Sequence, residues 1–208
     1  MQKQYNKLRT IALVGLPGSG KSSVGKALAS IMACRFADSD ESVCAAAGQS
    51  IPELFRHQGE AAFRALETSI LDELTQADAG ALGPRAPDAS YTLERLVLAT
   101  GGGCVLSPEN RRLLRDRCFV VWLDISPQKA ALRLAKSAGK AGMTGRPLLD
   151  GGDAEERLVA LDAERRPLYE ELADMRIDAG GSGYRAIARR IICDLAIAIM
   201  EDKRAALP

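Results

Sequence analysis

Short apolar runs alternate along this chain with segments whose apolar residues recur every three or four positions. The run at residues 10–14 is continuous and rich in β-branched residues, which is typical of a buried strand. In residues 22–32, Val24, Leu28 and Ile31 stand at helical spacing, so a helix is predicted there. Because strands and helices alternate to the end of the chain, the pattern predicts one α/β domain over residues 1–208, with a parallel sheet.

The remaining elements follow from the same periodicities and from the turn residues between them. Further strands are predicted at residues 34–37, 96–100, 119–123 and 175–178. Further helices are predicted at residues 41–47, 51–57, 60–76, 108–117, 127–136, 154–173 and 184–203. The segments 78–94 and 137–152 contain several glycines and prolines and are predicted to be loops.

A glycine-rich stretch joins the first strand to the first helix. Residues 15–22 have the spacing G-x-x-x-x-G-K-S, whose backbone N–H groups can surround phosphate oxygens at a helix N-terminus. Lys21 is placed to reach the β- and γ-phosphates, and Ser22 to bind Mg²⁺. The alternative is a simple turn, which we disfavour because every specified position matches. The predicted nucleotide contacts are Gly18, Ser19, Gly20, Lys21, Ser22 and Ser23.

Composition narrows the range of partners. The 208 residues carry 28 basic and 27 acidic side chains, for a net charge of +1, which argues against a nucleic-acid-binding surface. The five cysteines include no C-x-x-C pair and there is one histidine, so no zinc site is expected. This cysteine usage fits a reducing compartment, the cytoplasm. No apolar stretch is long enough to span a bilayer, so we expect no membrane association.

Two further motifs follow predicted strands. Asp38 and Asp40 come after the second strand, and Gly101, Gly102 and Gly103 come after the third. Ligands of parallel sheets bind beyond the carboxyl ends of the strands, so both motifs are expected to share one crevice with the phosphate loop. The two aspartates project to the same side, where a carboxylate can orient a hydroxyl and accept its proton. The alternative is a pair of residues that cap the next helix.

The order and spacing of six motifs resemble those of the shikimate kinase family over about residues 11–199. They are the phosphate loop, Asp38-Ser39-Asp40, Phe63-Arg64, Gly101-Gly102-Gly103, Arg146-Pro147-Leu148-Leu149 and Arg165-Arg166-Pro167-Leu168-Tyr169. The resemblance implies a P-loop NTPase of the nucleoside-monophosphate-kinase-like fold, in which helices flank a parallel five-stranded sheet. It also implies a substrate-binding region at about residues 38–66 and a lid at about residues 136–152.

The same resemblance implies an enzyme, an ATP-dependent shikimate kinase of aromatic amino acid biosynthesis. It would transfer the γ-phosphoryl group of ATP to the 3-hydroxyl of shikimate, with Mg²⁺. The implied catalytic residues are Lys21, Asp40 and Arg146, and the implied metal-shell residues are Ser22 and Asp38. Arg133 and Arg146 are implied to contact ATP, and the implied shikimate-binding residues are Asp40, Arg64, Gly101, Gly102, Gly103 and Arg165.

The chemistry of the arginines agrees with these roles. A guanidinium can bind a carboxylate bidentately, although a lone arginine on a helix, such as Arg64 or Arg133, is more often a solvated surface residue. Glu67 lies three residues beyond Arg64 and is placed to hold it. Helical geometry turns Arg166 about 100° away from the face that Arg165 shares with apolar residues, so Arg165 is predicted to face the substrate.

Two other functions stay open at this point. One is a related small-molecule kinase, acting on gluconate or a nucleotide, and the other is a non-catalytic, kinase-like ligand sensor. Asp40, Arg64 and Arg165 argue against the related kinase, because this set of residues suits a hydroxylated ring that bears a carboxylate. A fused DNA-binding helix pair would favour the second, and the sequence has none. We expect a monomer whose partners are shikimate and ATP.

Overall fold

Five parallel strands form the centre of the part of the chain that the computed structural model describes, residues 8–76, 95–141 and 154–205. The strands are β1 (Thr10–Val14), β2 (Arg35–Asp38), β3 (Leu96–Ala99), β4 (Phe119–Asp124) and β5 (Met175–Asp178). They lie in the order β2-β3-β1-β4-β5. In the central strand, Ile11 is in register with Val97 on one side and with Phe119 on the other. The predicted parallel five-stranded sheet is therefore confirmed.

Helices connect the strands throughout the described residues. They are α1 (Lys21–Met32), α2 (Ser39–Ala47), α3 (Ile51–Thr75), α4 (Pro108–Arg117), α5 (Pro127–Ala141), α6 (Ala154–Leu172) and α7 (Tyr184–Ala205). A 3₁₀ turn spans Cys104–Leu106. Gly59, with φ 81° and ψ 172°, kinks α3 at the point where the sequence predicts a break between two helices.

Several helix boundaries differ from the prediction, and two of these differences have a clear physical reason. Helix α5 continues to Ala141, whereas the glycine content predicts a loop from residue 137. One interior glycine costs a helix only about 1 kcal/mol relative to alanine, so Gly139 does not end it. Helix α2 begins at Ser39 rather than at residue 41, because the Asp38 side chain accepts a hydrogen bond from the Asp40 amide and caps the helix. Residues 142–153, which include Arg146 and most of the predicted lid, and residues 77–94 lie outside the described residues.

The three central strands are almost entirely apolar because helices cover both faces of the sheet. All five residues of β1 and all four of β3 are buried. Helix α1 packs against α7 and β3, and helix α6 packs against α5 and the 3₁₀ turn. Within the three described ranges, no helix has both the length and the apolar character needed to cross a membrane.

The carboxyl ends of β1, β2 and β3 lie side by side at one edge of the sheet. Strand β1 runs into the phosphate loop, β2 ends at Asp38, and β3 leads through Thr100 to Gly101. The Thr100 side chain and amide both donate to the Leu13 carbonyl, at 3.0 Å and 3.2 Å, which ties the ends of β3 and β1 together. Sheet topology thus brings the three predicted motifs to one place.

Candidate active site

A cavity of about 600 Å³ opens at this edge of the sheet. Its wall includes most of the site residues predicted from the sequence: Gly18, Gly20, Lys21, Ser22, Ser23, Asp38, Asp40, Arg64, Gly101, Gly102, Gly103, Arg133 and Arg165. Of the other predicted residues, Ser19 is buried within the phosphate loop, and Arg146 lies outside the described residues. The fold therefore gathers residues from six separate elements around one space.

The phosphate loop has the backbone that an anion site requires. Gly18 and Gly20 have φ values of 81° and 96°, which residues with a Cβ rarely adopt. A Cβ on Gly18 would also lie 2.7 Å from the Ala130 carbonyl oxygen, so α5 packs directly on the loop. No side chain caps the N-terminus of α1, which leaves its first N–H groups turned toward the loop. Such a helix end favours a bound phosphate group.

Lys21 lies at the floor of the cavity. Its Nζ donates to the Gly15 carbonyl at 2.8 Å and to the Leu16 carbonyl at 3.0 Å. Burial lowers the pKa of Lys21 to about 8, although the negative charges of Asp40 and Asp38 raise it in part. The ammonium group is therefore held at the loop by carbonyl oxygens and by two nearby carboxylates.

Asp38 does two things at once. Its Oδ1 accepts a hydrogen bond from the Asp40 amide at 3.0 Å, which is the helix cap that the sequence left open as an alternative. Its Oδ2 accepts a hydrogen bond from Ser22 Oγ at 2.6 Å. The cap and a role beside the phosphate loop are therefore compatible, since each uses a different carboxylate oxygen.

Asp40 faces the cavity opposite the first glycine of the second motif. A Cβ on Gly101 would lie 2.5 Å from Asp40 Oδ1, so a larger residue there would displace the Asp40 carboxylate. Burial raises the pKa of Asp40, and the charge of Asp38 raises it further, while Lys21 and Arg64 lower it. Asp40 is thus a partly buried carboxylate whose proton affinity is above that of an ordinary aspartate.

Arg64 is held from two sides on helix α3. Its guanidinium donates to Glu67 Oε2 at 2.9 Å and to Glu60 Oε1 at 3.1 Å. Glu67 is only 1% exposed, which makes the first contact a buried ion pair. A Cβ on Gly103 would lie 3.0 Å from the Arg64 guanidinium, so the glycine motif and this arginine approach closely.

The two adjacent arginines of α6 point to different places. Arg165 lines the cavity, and its Nε is buried with no hydrogen-bond partner among the described residues. Arg166 instead donates to Asp162 at 2.9 Å and to Asp124 at 3.0 Å. Its guanidinium also lies over the Trp122 ring, 5.1 Å from the centroid. Arg165 therefore brings to the cavity a guanidinium whose Nε has no hydrogen-bond partner, whereas the Arg166 guanidinium is paired elsewhere.

Comparisons with known proteins identify the family to which the chain belongs. A family model described as shikimate kinase matches residues 17–82 and 88–196. The chain belongs to the shikimate kinase family. It is 42% identical over 182 residues to a shikimate kinase of Halorhodospira halophila, covering 88% of this chain and 90% of that one. The family resemblance drawn from the motifs is therefore confirmed.

Solved structures separate the family from its more distant neighbours. A shikimate kinase from Acinetobacter baumannii in complex with shikimate is 33% identical, with a TM-score of 0.75, and covers 95% of this chain and 98% of that one. A gluconokinase from Sinorhizobium meliloti has a TM-score of 0.56 at 18% identity, covering 97% of this chain and 99% of its own. The second match indicates a shared kinase fold only. Within it, this chain is an ATP-dependent kinase of the shikimate kinase family, as its motifs predict.

Arg133 is not a freely solvated helix residue. Its guanidinium donates to the Ser19 carbonyl at 3.1 Å and also to the Ala179 carbonyl. In this member of the shikimate kinase family, Arg133 therefore joins the phosphate loop to the loop after β5. That position places Arg133 in the wall of the cavity rather than in bulk water.

Sequence reasoning overlooked two side chains that shape the shikimate kinase cavity. Ser39, fully buried, accepts a hydrogen bond from the Gly101 amide at 2.9 Å and so links the ends of β2 and β3. Tyr169 donates to the Gly102 carbonyl at 2.9 Å. Both residues stand inside quoted motifs, and that position was the only signal available, since neither contact is local in sequence.

Proposed function

We propose that this chain transfers the γ-phosphoryl group of ATP to the 3-hydroxyl of shikimate, giving shikimate 3-phosphate and ADP. The observation that carries the proposal is the composition of the cavity. Its wall holds a phosphate loop with Lys21, a carboxylate, Asp40, whose charge acts on Lys21, and two cationic side chains, Arg64 and Arg165. This arrangement suits a co-substrate rich in phosphate and a small acceptor that carries both hydroxyls and a carboxylate.

In the proposed reaction, Asp40 orients the acceptor hydroxyl and takes its proton as the oxygen bonds to the γ-phosphorus. The bond from that phosphorus to the ADP oxygen breaks at the same time. A raised pKa suits Asp40 to this role, because a base whose pKa lies closer to the working pH accepts a proton more readily. Lys21, and Arg146 from the predicted lid, stabilise the charge on the phosphoryl oxygens.

Arg64 and Arg165 are proposed to bind the shikimate carboxylate together. Two observations support this pairing. Arg64 is already oriented by Glu67 and Glu60, so little side-chain entropy is lost when it binds a ligand. Arg165 Nε is buried and unsatisfied, apart from a long 3.5 Å ion-pair contact with Glu164, so an anionic ligand would supply its missing partner.

The residues present fit Mg²⁺. Ser22 Oγ and Asp38 Oδ2 lie 2.6 Å apart and offer the oxygen donors that Mg²⁺ prefers. In the described residues, no group of three or more His, Cys, Asp or Glu side chains is placed to hold a metal. This agrees with an ion bound mainly by phosphate oxygens and water, with Ser22 and Asp38 in its shell. When bound, Mg²⁺ would neutralise charge on the phosphates.

The wider setting is part of the proposal. Cys34, Cys44, Cys104, Cys118 and Cys193 are all free thiols, which supports a reducing compartment, the cytoplasm. The near-neutral charge supports the absence of a nucleic-acid partner. We propose that the chain works as a monomer.

A coupled assay of ADP release tests the function. We expect turnover with shikimate, and little turnover with gluconate or nucleoside monophosphates at equal concentration. Mass and NMR spectra of the product should place the phosphate on the 3-hydroxyl. Release of ADP with gluconate but not with shikimate would overturn the proposal, and Lys21→Ala serves as the inactive control.

A further inference from the structure

Tyr169 is a buried side chain that the reaction itself does not use. It is only 1% exposed and does not line the cavity, so it cannot touch a ligand there. It nevertheless contacts two groups that do line the cavity. Its hydroxyl donates to the Gly102 carbonyl at 2.9 Å across 67 residues of sequence, and it stands one helical turn after Arg165.

The surroundings of Tyr169 leave it little freedom. Its ring stacks on Trp122, with centroids 6.0 Å apart and an interplanar angle of 25°. Trp122 in turn lies beneath Arg166 and Arg176, whose guanidinium carbons are 5.1 Å and 4.8 Å from its ring. Both arginines donate to Asp124 at the end of β4. Helix α6 is thereby fixed in rotation about its axis, with Tyr169 turned toward the glycine motif.

Arg165 depends on that rotation. It lines the cavity, and its buried Nε has no hydrogen-bond partner in the described residues, only a 3.5 Å ion-pair contact with Glu164. Burial raises the pKa of Tyr169, while the positive charge of Arg165 and a hydrogen bond from it lower that pKa. The phenol is therefore next to the guanidinium as well as to Gly102.

We propose that Tyr169 is a positioning residue, which holds the Gly102 backbone and Arg165 in register with each other so that both meet the acceptor substrate. The hydroxyl is the operative group, because the ring alone would fill the same space without fixing the glycine motif. The inference rests on the proposed function for the identity of the acceptor, shikimate.

The variant Tyr169→Phe removes only the hydroxyl. We expect KM for shikimate to rise about 3-fold to 10-fold, as loss of one hydrogen bond allows, with KM for ATP within about twofold of wild type. The matched control is Thr75→Val. Thr75 is also buried, and its hydroxyl donates to the Leu71 carbonyl at 2.8 Å, but it lies at the far end of α3. The Thr75→Val substitution should lower the melting temperature without changing KM for shikimate.

Two further measurements separate positioning from simple stability. In an Arg165→Ala background, Tyr169→Phe should add less to KM than it does in wild type, because the two act on one binding contact. Amide hydrogen exchange over residues 101–106, measured without ligand, should be faster in Tyr169→Phe than in Thr75→Val.

The results distinguish the inference from the proposed function. A wild-type protein that does not phosphorylate shikimate overturns the function, while the exchange experiment still decides the role of Tyr169. Unchanged exchange over residues 101–106 overturns the inference. In an active enzyme, it is also overturned by a lower melting temperature with unchanged KM for shikimate, or by additive effects with Arg165→Ala.

Discussion

Replacing Asp40 with asparagine tests the proposed base most directly. Asp40 packs closely on Gly101, since a Cβ there would lie 2.5 Å from Asp40 Oδ1, and the amide of asparagine keeps nearly the same shape as the carboxylate. Asparagine cannot accept the proton, and one of its two terminal positions donates where an acceptor is needed. Base assistance is worth about 10²–10⁴-fold, so kcat should fall by that factor. KM for ATP should stay near the wild-type value at a pH where Lys21 remains an ammonium ion in both proteins.

The same substitution changes the charge around Lys21. Burial lowers the pKa of Lys21 to about 8, and among the nearby charges Asp40 is the strongest that opposes this shift. Removing the carboxylate charge therefore lowers the pKa of Lys21 further. Because only the ammonium form pairs with phosphate, kcat/KM for ATP declines as pH rises through this pKa in the free enzyme. This decline of kcat/KM for ATP should be centred near pH 8 in the wild-type enzyme and at a lower pH in Asp40→Asn.

The acid side of the profile reports Asp40 itself. Its raised pKa means that kcat/KM for shikimate begins to fall, with decreasing pH, above the range of an ordinary aspartate. Asp40→Asn should abolish this limb, because no carboxylate is left to protonate. Steady-state kinetics across the pH range, with each substrate varied in turn, measure both limbs.

Asp38→Asn is the control for this experiment. Asp38 lies beside Ser22 rather than against Gly101, so its defect should be relieved in part by raised Mg²⁺. Relief of Asp40→Asn by Mg²⁺ instead would show that the two roles are exchanged. A kcat for Asp40→Asn within about tenfold of wild type, with the acid limb intact, would refute the assignment of Asp40 as base.

Further substitutions test the phosphate loop, the two adjacent arginines of α6 and the predicted lid arginine. Lys21→Ala should abolish turnover with the melting temperature nearly unchanged, and Lys26→Ala, whose side chain is 59% exposed, should be fully active. Arg165→Ala should raise KM for shikimate by about two orders of magnitude, the scale for losing one partner of a buried ion pair. Arg166→Ala should lower thermal stability more than shikimate affinity, and the reverse pattern would contradict the orientation of α6. Arg146→Ala should lower kcat far more than it changes shikimate affinity by calorimetry, and an unchanged kcat would remove Arg146 from the mechanism.

Some features of this protein follow from sequence because they depend on neighbours in the chain. The phosphate loop is one, since the glycine at residue 18 permits a φ of 81° and the following residues begin a helix at once. The separation of Arg165 from Arg166 is another, because helix geometry alone turns adjacent residues about 100° apart. The parallel sheet also follows from the alternation of apolar runs with helical patterns.

Tertiary structure decided which partners these residues meet. Asp38 both caps α2 and bonds Ser22, and only the approach of β2 to the phosphate loop allows the second contact. Helix α5 extends past residue 137 because an interior glycine costs only about 1 kcal/mol relative to alanine, so counting glycines misplaces the end of the helix. The contact between Tyr169 and Gly102 joins residues 67 positions apart, and it exists because α6 packs over the end of β3 in one rotation. Local spacing specifies the groups that a segment offers, whereas side-chain packing between distant elements sets the distances at which those groups act.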